Sequence, residues 1–558
     1  MKKKGIIKFI ALAVTLFSLT ACESVLDMFG HVSGGGYSYR PIQEDIPTPN
    51  PGNTQAKKAG QTYSDYIDNN LYPLSATPSV GTTKLLVIPV WFTNSSDFIS
   101  ENKKDNVKED IEYAYFGTNE QTGWRSVKTF YEEESHGALT ITGTVSDWYY
   151  PNKPYADYGV DASQEKTMKL VVDSVNWYFA NNADKREDYD CDNDGYLDGV
   201  MLIYAAPDFD VLKSKTYTNL WAYCYWIQNN NKIQNNNQEH SVNAFFWASY
   251  DFMYGSEKSV ERTGHSYIDG DTSIASVDTH TYIHEMGHMF GLTDYYDYSE
   301  KGYRPAASFS MQDHNVGGHD PFSSFSLGWG KAYIPTESTV INLKRFAKYG
   351  EMIILTPKWN DFNSAFDEYL ILEYYDADNN NLNSFDANNL YMKSSGKSYP
   401  EGTKERGIRL WHVDARLLYS TNKTFNSANI TSNACIPSYK VTLMASNTYF
   451  DGNNRDSEYL SPLAAEDINY CNYNILQLIR NRKSATYLEK DNLNMSMLFK
   501  KDDEFTMSEY NRQFVNAGKL NSNVDLGFSF KVNALNKARC FTPLATAWPS
   551  SVISQCRS

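Results

Sequence analysis

Cysteine is scarce in this chain, with seven among 558 residues. None of the seven has the paired spacing of a zinc finger, which excludes a cysteine-bound structural zinc. Positive charge is also in deficit: Lys plus Arg is 51 against 67 for Asp plus Glu, a formal net charge of −16. That balance argues against a nucleic-acid partner and fits a soluble, exported body. Beyond the first 21 residues no apolar run is long enough to span a bilayer, and no internal repeat is evident. Tyrosine, in contrast, is abundant at 42 residues. Its amphipathic ring suits β-rich domains and polar surfaces, and packing alone accounts for most of it.

The N-terminus reads as a targeting segment. Met1-Lys2-Lys3-Lys4 is a basic end, and Phe9 to Ala21 is an apolar stretch too short to remain as a membrane span. It closes on Leu19-Thr20-Ala21-Cys22, which resembles the lipobox of a bacterial lipoprotein signal. The resemblance implies cleavage before Cys22, lipidation of that cysteine and a body tethered to a membrane outside the cytoplasm. The six other cysteines then allow up to three disulfides, with Cys540–Cys556 the favoured pair because the two are close in sequence.

Composition and periodicity divide the rest. Residues 1–21 are the signal peptide. Residues 22–80, with Gly34-Gly35-Gly36 and a Pro/Asn-rich run at 47–53, read as a flexible stalk. From Lys84 to Trp148, and again through 166–204, strand-length apolar runs alternate with helical stripes. This mixed pattern continues to residue 335. From 336 to 558 short apolar strands separated by Asn/Asp/Gly/Ser loops predict a second, all-β sandwich-like domain. In that region Glu373, His412 and Asp414 read as ordinary sheet positions in preference to a second metal site. The polar run at 228–238 reads as a surface loop.

One stretch carries the chemistry: His284-Glu285-Met286-Gly287-His288-Met289-Phe290-Gly291-Leu292-Thr293-Asp294. Four residues apart on a helix, His284 and His288 project from one face and can share a metal ion. Gly291 permits a left-handed turn that reverses the chain and brings Asp294 to a third ligand position, with Asp297 as the rival carboxylate. Two imidazoles, one carboxylate and an open fourth position are the donor set of a catalytic zinc site. Glu285 follows the first ligand, where a general base is needed.

With Met311 downstream in Ser308-Phe309-Ser310-Met311-Gln312-Asp313, the motif resembles the immune-inhibitor-A family of secreted bacterial metalloproteases, which are metzincin-like zincins. The segments from Val127 to Trp148 and from Asp320 to Trp329 are similar to parts of that family as well. So are Tyr369–Glu373 and Leu410–Asp414, and the likeness extends roughly over residues 84–415. It implies an α+β zincin catalytic domain in which His284, His288 and Asp294 bind Zn2+, Glu285 is the general base and acid, and Met311 forms a turn beneath the metal. Metzincins often place a tyrosine shortly after that methionine. Here Gln312 and Asp313 follow it; His314 and His319 are candidate substitutes, although each reads first as a loop histidine or one that supports the ligands.

A second constellation is Asp190-Cys191-Asp192-Asn193-Asp194-Gly195-Tyr196-Leu197-Asp198. Acids at loop positions 1, 3, 5 and 9, with glycine at 6, match a calcium loop, although Met201 stands where the closing glutamate belongs. Asp190, Asp192, Asp194 and Asp198 are therefore candidate Ca2+ ligands. The whole reads as an exported, lipid-anchored zinc endopeptidase acting on proteins or peptides. The competing reading is a surface-anchored binding or adhesion protein whose zincin domain is idle.

Overall fold

The computed structural model describes residues 77–161, 164–227, 239–266, 277–297, 302–335, 338–356, 365, 368–381, 402–415, 447, 474–514 and 528–535. It also gives the backbone of short strands at 54–57, 417–420, 430–432, 441–443 and 541–545. The candidate lipidation site Cys22, and Cys435, Cys471, Cys540 and Cys556, lie outside the described residues. Cys191 and Cys224 are free thiols, so neither takes part in the disulfides expected of an exported chain.

The N-terminal half is a mixed α/β layer. Its sheet has the order β3-β2-β4-β6-β5, from β2 (Gly81–Val90), β3 (Leu139–Val145), β4 (Gly199–Tyr204), β5 (Tyr223–Trp226) and β6 (Ala244–Ser249). β3, β2, β4 and β6 run parallel, and β5 closes the edge antiparallel to β6. β4 and β6 are buried at every position, as continuous apolar strands are when helices cover both faces of a sheet. Helices α1 (Lys104–Phe116), α2 (Val127–Glu134) and α3 (Glu165–Asn181) bury Val107, Ile111, Phe130, Tyr131, Leu170, Val171 and Val175 in this core. Ser126 caps α2 by accepting a bond from the Thr129 N–H, which satisfies one of the orphan donors at the helix start.

The second half is organised by a six-stranded sheet of order β1-β7-β8-β9-β10-β14. Its members are β1 (Thr54–Lys57), β7 (Lys331–Pro335), β8 (Glu351–Leu355), β9 (Glu368–Tyr375), β10 (Gly407–Asp414) and β14 (Leu476–Ile479). Side-chain alternation sends its residues to two different cores. Met352, Ile354, Tyr369, Ile371, Trp411, Val413, Leu476 and Leu478 join the core of the first half. Ile353, Leu355, Leu370, Leu372, Ile408, Leu410 and Ile479 face a second core with Phe499, Phe505, Tyr510, Phe528 and Phe530. The latter includes part of the small sheet of β15 (Glu504–Thr506), β16 (Phe528–Val532) and β17 (Phe541–Ala545). The three remaining strands, at 417–420, 430–432 and 441–443, form a sheet of their own.

This arrangement differs from the expected one in two ways. The large sheet is a layer shared with the first half, not one wall of a separate body beginning at 336, because both of its faces are apolar and both need cover. It also takes β7 from before that boundary and β1 from the segment read as a stalk.

The sheet positions weighed as a second metal site are ordinary. The Glu373 carboxylate accepts two bonds from the Arg409 guanidinium, at 2.8 and 2.7 Å, and one from the Trp411 indole at 2.9 Å. His412 projects to the opposite face, with Nε2 3.0 Å from Glu368.

Candidate metal centre

Helix α4 (His280–Met289) lies against β5 and β6 and is buried along most of its length. His284 and His288 emerge from one face, with Nε2 atoms 3.1 Å apart. Gly291 adopts φ 101°, the Leu292 N–H returns to the Gly287 carbonyl, and the chain reverses. A β-carbon is unfavourable in that left-handed conformation, so the turn depends on glycine. The reversal carries Asp294 Oδ1 to 2.9 Å from His284 Nε2 and 3.4 Å from His288 Nε2. All three side chains are buried.

The outer nitrogens are committed. His284 Nδ1 lies 2.8 Å from the Met311 carbonyl and His288 Nδ1 lies 2.8 Å from the Leu292 carbonyl. A carbonyl only accepts, so both Nδ1 atoms carry hydrogen and, in the neutral rings, both Nε2 atoms present lone pairs. Two lone pairs and a carboxylate converging at this spacing repel one another unless a cation lies among them. Two donors held tetrahedrally at about 2.0–2.1 Å from one zinc ion lie roughly 3.3 Å apart, close to the separations found. The residues present therefore fit a metal, and these three form one of two groups among the described residues that could hold a metal ion, the other being all aspartate.

The same buried groups shift one another's protonation. Burial pushes the His288 imidazole down, but the Asp294 carboxylate beside it and the charge of Glu285 outweigh this and lift it to about 9. Burial would likewise raise Asp294, yet the two imidazoles hold it well below the usual carboxylate range. Burial raises Glu285 above its ordinary value, with the two histidines opposing and Asp294 assisting. The backbone of Cys224 on edge strand β5 bonds to the Glu285 carboxylate, whose Oε2 is buried without a partner.

Met311 opens a helical turn, Met311–His314, beneath the ligands and is fully buried. The departure at Gln312 has a structural reason. Its side chain lies under α4 against Gly287, where an added β-carbon would come within 2.2 Å of Gln312 Oε1. His314 is engaged by Asp313 at 2.6 Å and by Arg304 at 3.1 Å. His319 is buried against Phe130, Tyr131 and Trp329. Neither of its ring nitrogens has a hydrogen-bond partner. Burial, then the charges of His284 and His288, push it down to about 3.

The acidic loop is brought together in part. Asp190, Asp192 and Asp194 form the second group able to hold a cation. Asp190 also accepts from the Asp194 and Gly195 N–H groups, at 3.0 Å each, and lies 2.6 Å from His240 Nδ1. Asp198, expected to join them, is placed elsewhere. Its oxygens accept the backbone N–H of Lys84 at 2.7 Å and of Cys191 at 2.9 Å, tying the loop to β2, and burial raises it to about 7.

Residues that no motif flagged surround the centre. Thr279, just before α4, donates to the Arg125 carbonyl at 2.7 Å. The buried Glu134 accepts the His319 N–H at 3.0 Å and the Asn380 amide at 2.6 Å. Glu134 falls inside a segment that resembled the family, whereas Asn380 carried no signal.

The α/β layer thus holds a buried two-histidine, one-carboxylate centre with an adjoining glutamate. Residues 79–313 match the model of the immune inhibitor A peptidase M6 catalytic domain, which supports a metallopeptidase. Comparison with curated proteins returns no match.

Proposed function

We propose that this protein is an exported, zinc-dependent endopeptidase of metzincin-like zincin type. The observation that carries the reading is the convergence of His284 Nε2, His288 Nε2 and Asp294 Oδ1, with both outer imidazole nitrogens already engaged. His284, His288 and Asp294 would hold the ion. When bound, zinc supplies a Lewis acid that polarises the scissile carbonyl and makes water a nucleophile near neutral pH.

The chain's own residues do the rest. Glu285, one residue from a ligand and raised by burial, takes a proton from the attacking water and returns it to the leaving amine. The peptide lies extended along β5, the edge strand beside Glu285, and pairs through its main chain. Lipidation at Cys22 would hold the enzyme at a membrane surface, and calcium in the Asp190 loop would stiffen it.

The test is incubation of the purified protein with denatured casein, with and without a zinc chelator, beside Glu285→Gln. Chelator-sensitive fragments absent from the variant are expected. Cleavage that persists in zinc-loaded Glu285→Gln would refute the mechanism.

A further inference from the structure

We propose that Asn380 and Asn381, which follow β9 in the second sheet, are positioning residues of the metal centre. This rests on the metal-binding reading above and assigns the second sheet a part in it. Both residues are buried, and every bond in the argument joins a donor to an acceptor within 3.2 Å.

Two paths leave this pair of amides. On one, Asn381 Oδ1 accepts the Gly318 N–H at 2.9 Å, while its amide nitrogen is anchored on the Asp376 carbonyl at 3.2 Å. The Gly318 carbonyl accepts the Met311 N–H at 3.1 Å. The Met311 carbonyl accepts the His284 Nδ1 hydrogen at 2.8 Å. Asn380 reinforces this path through Glu134, which takes the Asn380 amide on one oxygen and the His319 N–H on the other.

On the second path, Asn380 Oδ1 accepts from Arg125 Nε at 2.8 Å. The Arg125 carbonyl accepts from Thr279, the residue before α4, at 2.7 Å. One loop of the second sheet thus fixes the start of the metal helix and the turn that orients the first metal ligand.

Each asparagine is used for both functions of its amide, accepting on one side and donating on the other. Aspartate has nearly the same shape but no N–H donor, so at position 380 it would lose the amide bond to Glu134. Partners that orient metal ligands typically contribute 10–100-fold to metal affinity. A role confined to holding the two halves together would change stability alone.

The experiment measures zinc affinity of the full chain by competition with a chromophoric chelator, with thermal unfolding and kcat and KM at saturating zinc alongside. Asn380→Asp and Asn381→Ala are expected to weaken zinc binding about tenfold or more and to lower kcat more than they raise KM. Arg480→Ala is the control. It cuts a different bond between the halves, from Arg480 to the Arg304 carbonyl, and should lower the unfolding temperature with zinc affinity kept. Arg125→Lys, which keeps a charge facing Glu133 but loses the Nε bond, carries the same expectation in case Asn380→Asp does not fold. Variants that bind zinc as tightly as the parent while unfolding earlier would overturn the proposal and leave the metal centre standing. A parent protein that binds no zinc would overturn both.

Discussion

The side-chain amide of Gln312 lies directly against the Cα of Gly287, leaving no space for a methyl group between the metal helix and the turn beneath it. Gly287→Ala should gain up to about 1 kcal/mol in helix propensity but lose about 1–3 kcal/mol to overpacking. The expected outcome is a small net destabilisation with weaker zinc binding. Gln312→Ala in the same chain should restore both, as read by thermal unfolding and chelator competition.

Zinc should stabilise the fold. An ion that binds only the native state at a thousand times its dissociation constant adds roughly 4 kcal/mol. Addition of zinc to metal-stripped protein is expected to raise the unfolding temperature. The increment should vanish in His284→Ala and His288→Ala, because each removes a ligand atom from the cluster. An equal rise in those variants would place the binding elsewhere.

Glu134 gives a pH dependence whose sign can be worked out. Burial is the main cause that lifts its carboxyl from 4.5 to about 8, against the lowering effect of the Asn380 and His319 bonds. The folded state then holds a proton that the unfolded state releases. The associated stability is complete below 4.5 and is lost as pH rises through about 8. One proton corresponds to at most about 1.4 kcal/mol per pH unit. Denaturant midpoints for Glu134→Gln should show a flatter decline over this window than the parent.

The Arg409–Glu373 pair is buried and bidentate, and Arg409 also reaches the Phe309 carbonyl at 3.3 Å. Removal of either partner strands a charge, so Glu373→Ala or Arg409→Ala should cost about 3–5 kcal/mol. Urea denaturation measures this directly. A loss below about 1 kcal/mol would mean that water reaches the remaining charge.

The centre itself was legible because its chemistry is local. Four-residue spacing on a helix and one glycine reversal are enough to assemble His284, His288 and Asp294. The buried strands at 84–90 and 199–204 were equally plain, as continuous apolar runs. β5 was not, since Tyr-Cys-Tyr-Trp is too short for periodicity and its edge position is a property of the whole sheet. β1, with the sequence Thr-Gln-Ala-Lys, has no strand signature and is a strand only because β7 pairs with it. Asp198 misled because loop spacing counts carboxylates without saying where each one points. Asn380 sits in an Asp/Asn-rich stretch that looks like any turn, and its partners are 246 and 255 residues away in sequence.

The shared sheet bears on how this chain comes into being. β1 waits for β7, more than two hundred residues later, and β10 waits for β14 at 476–479. A nascent chain extended only to Met311 holds every metal ligand, yet lacks the layer that covers one side of the core behind them. Closing such long loops is slow. Catalytic competence should therefore arrive late in folding, when most of the polypeptide has been synthesised.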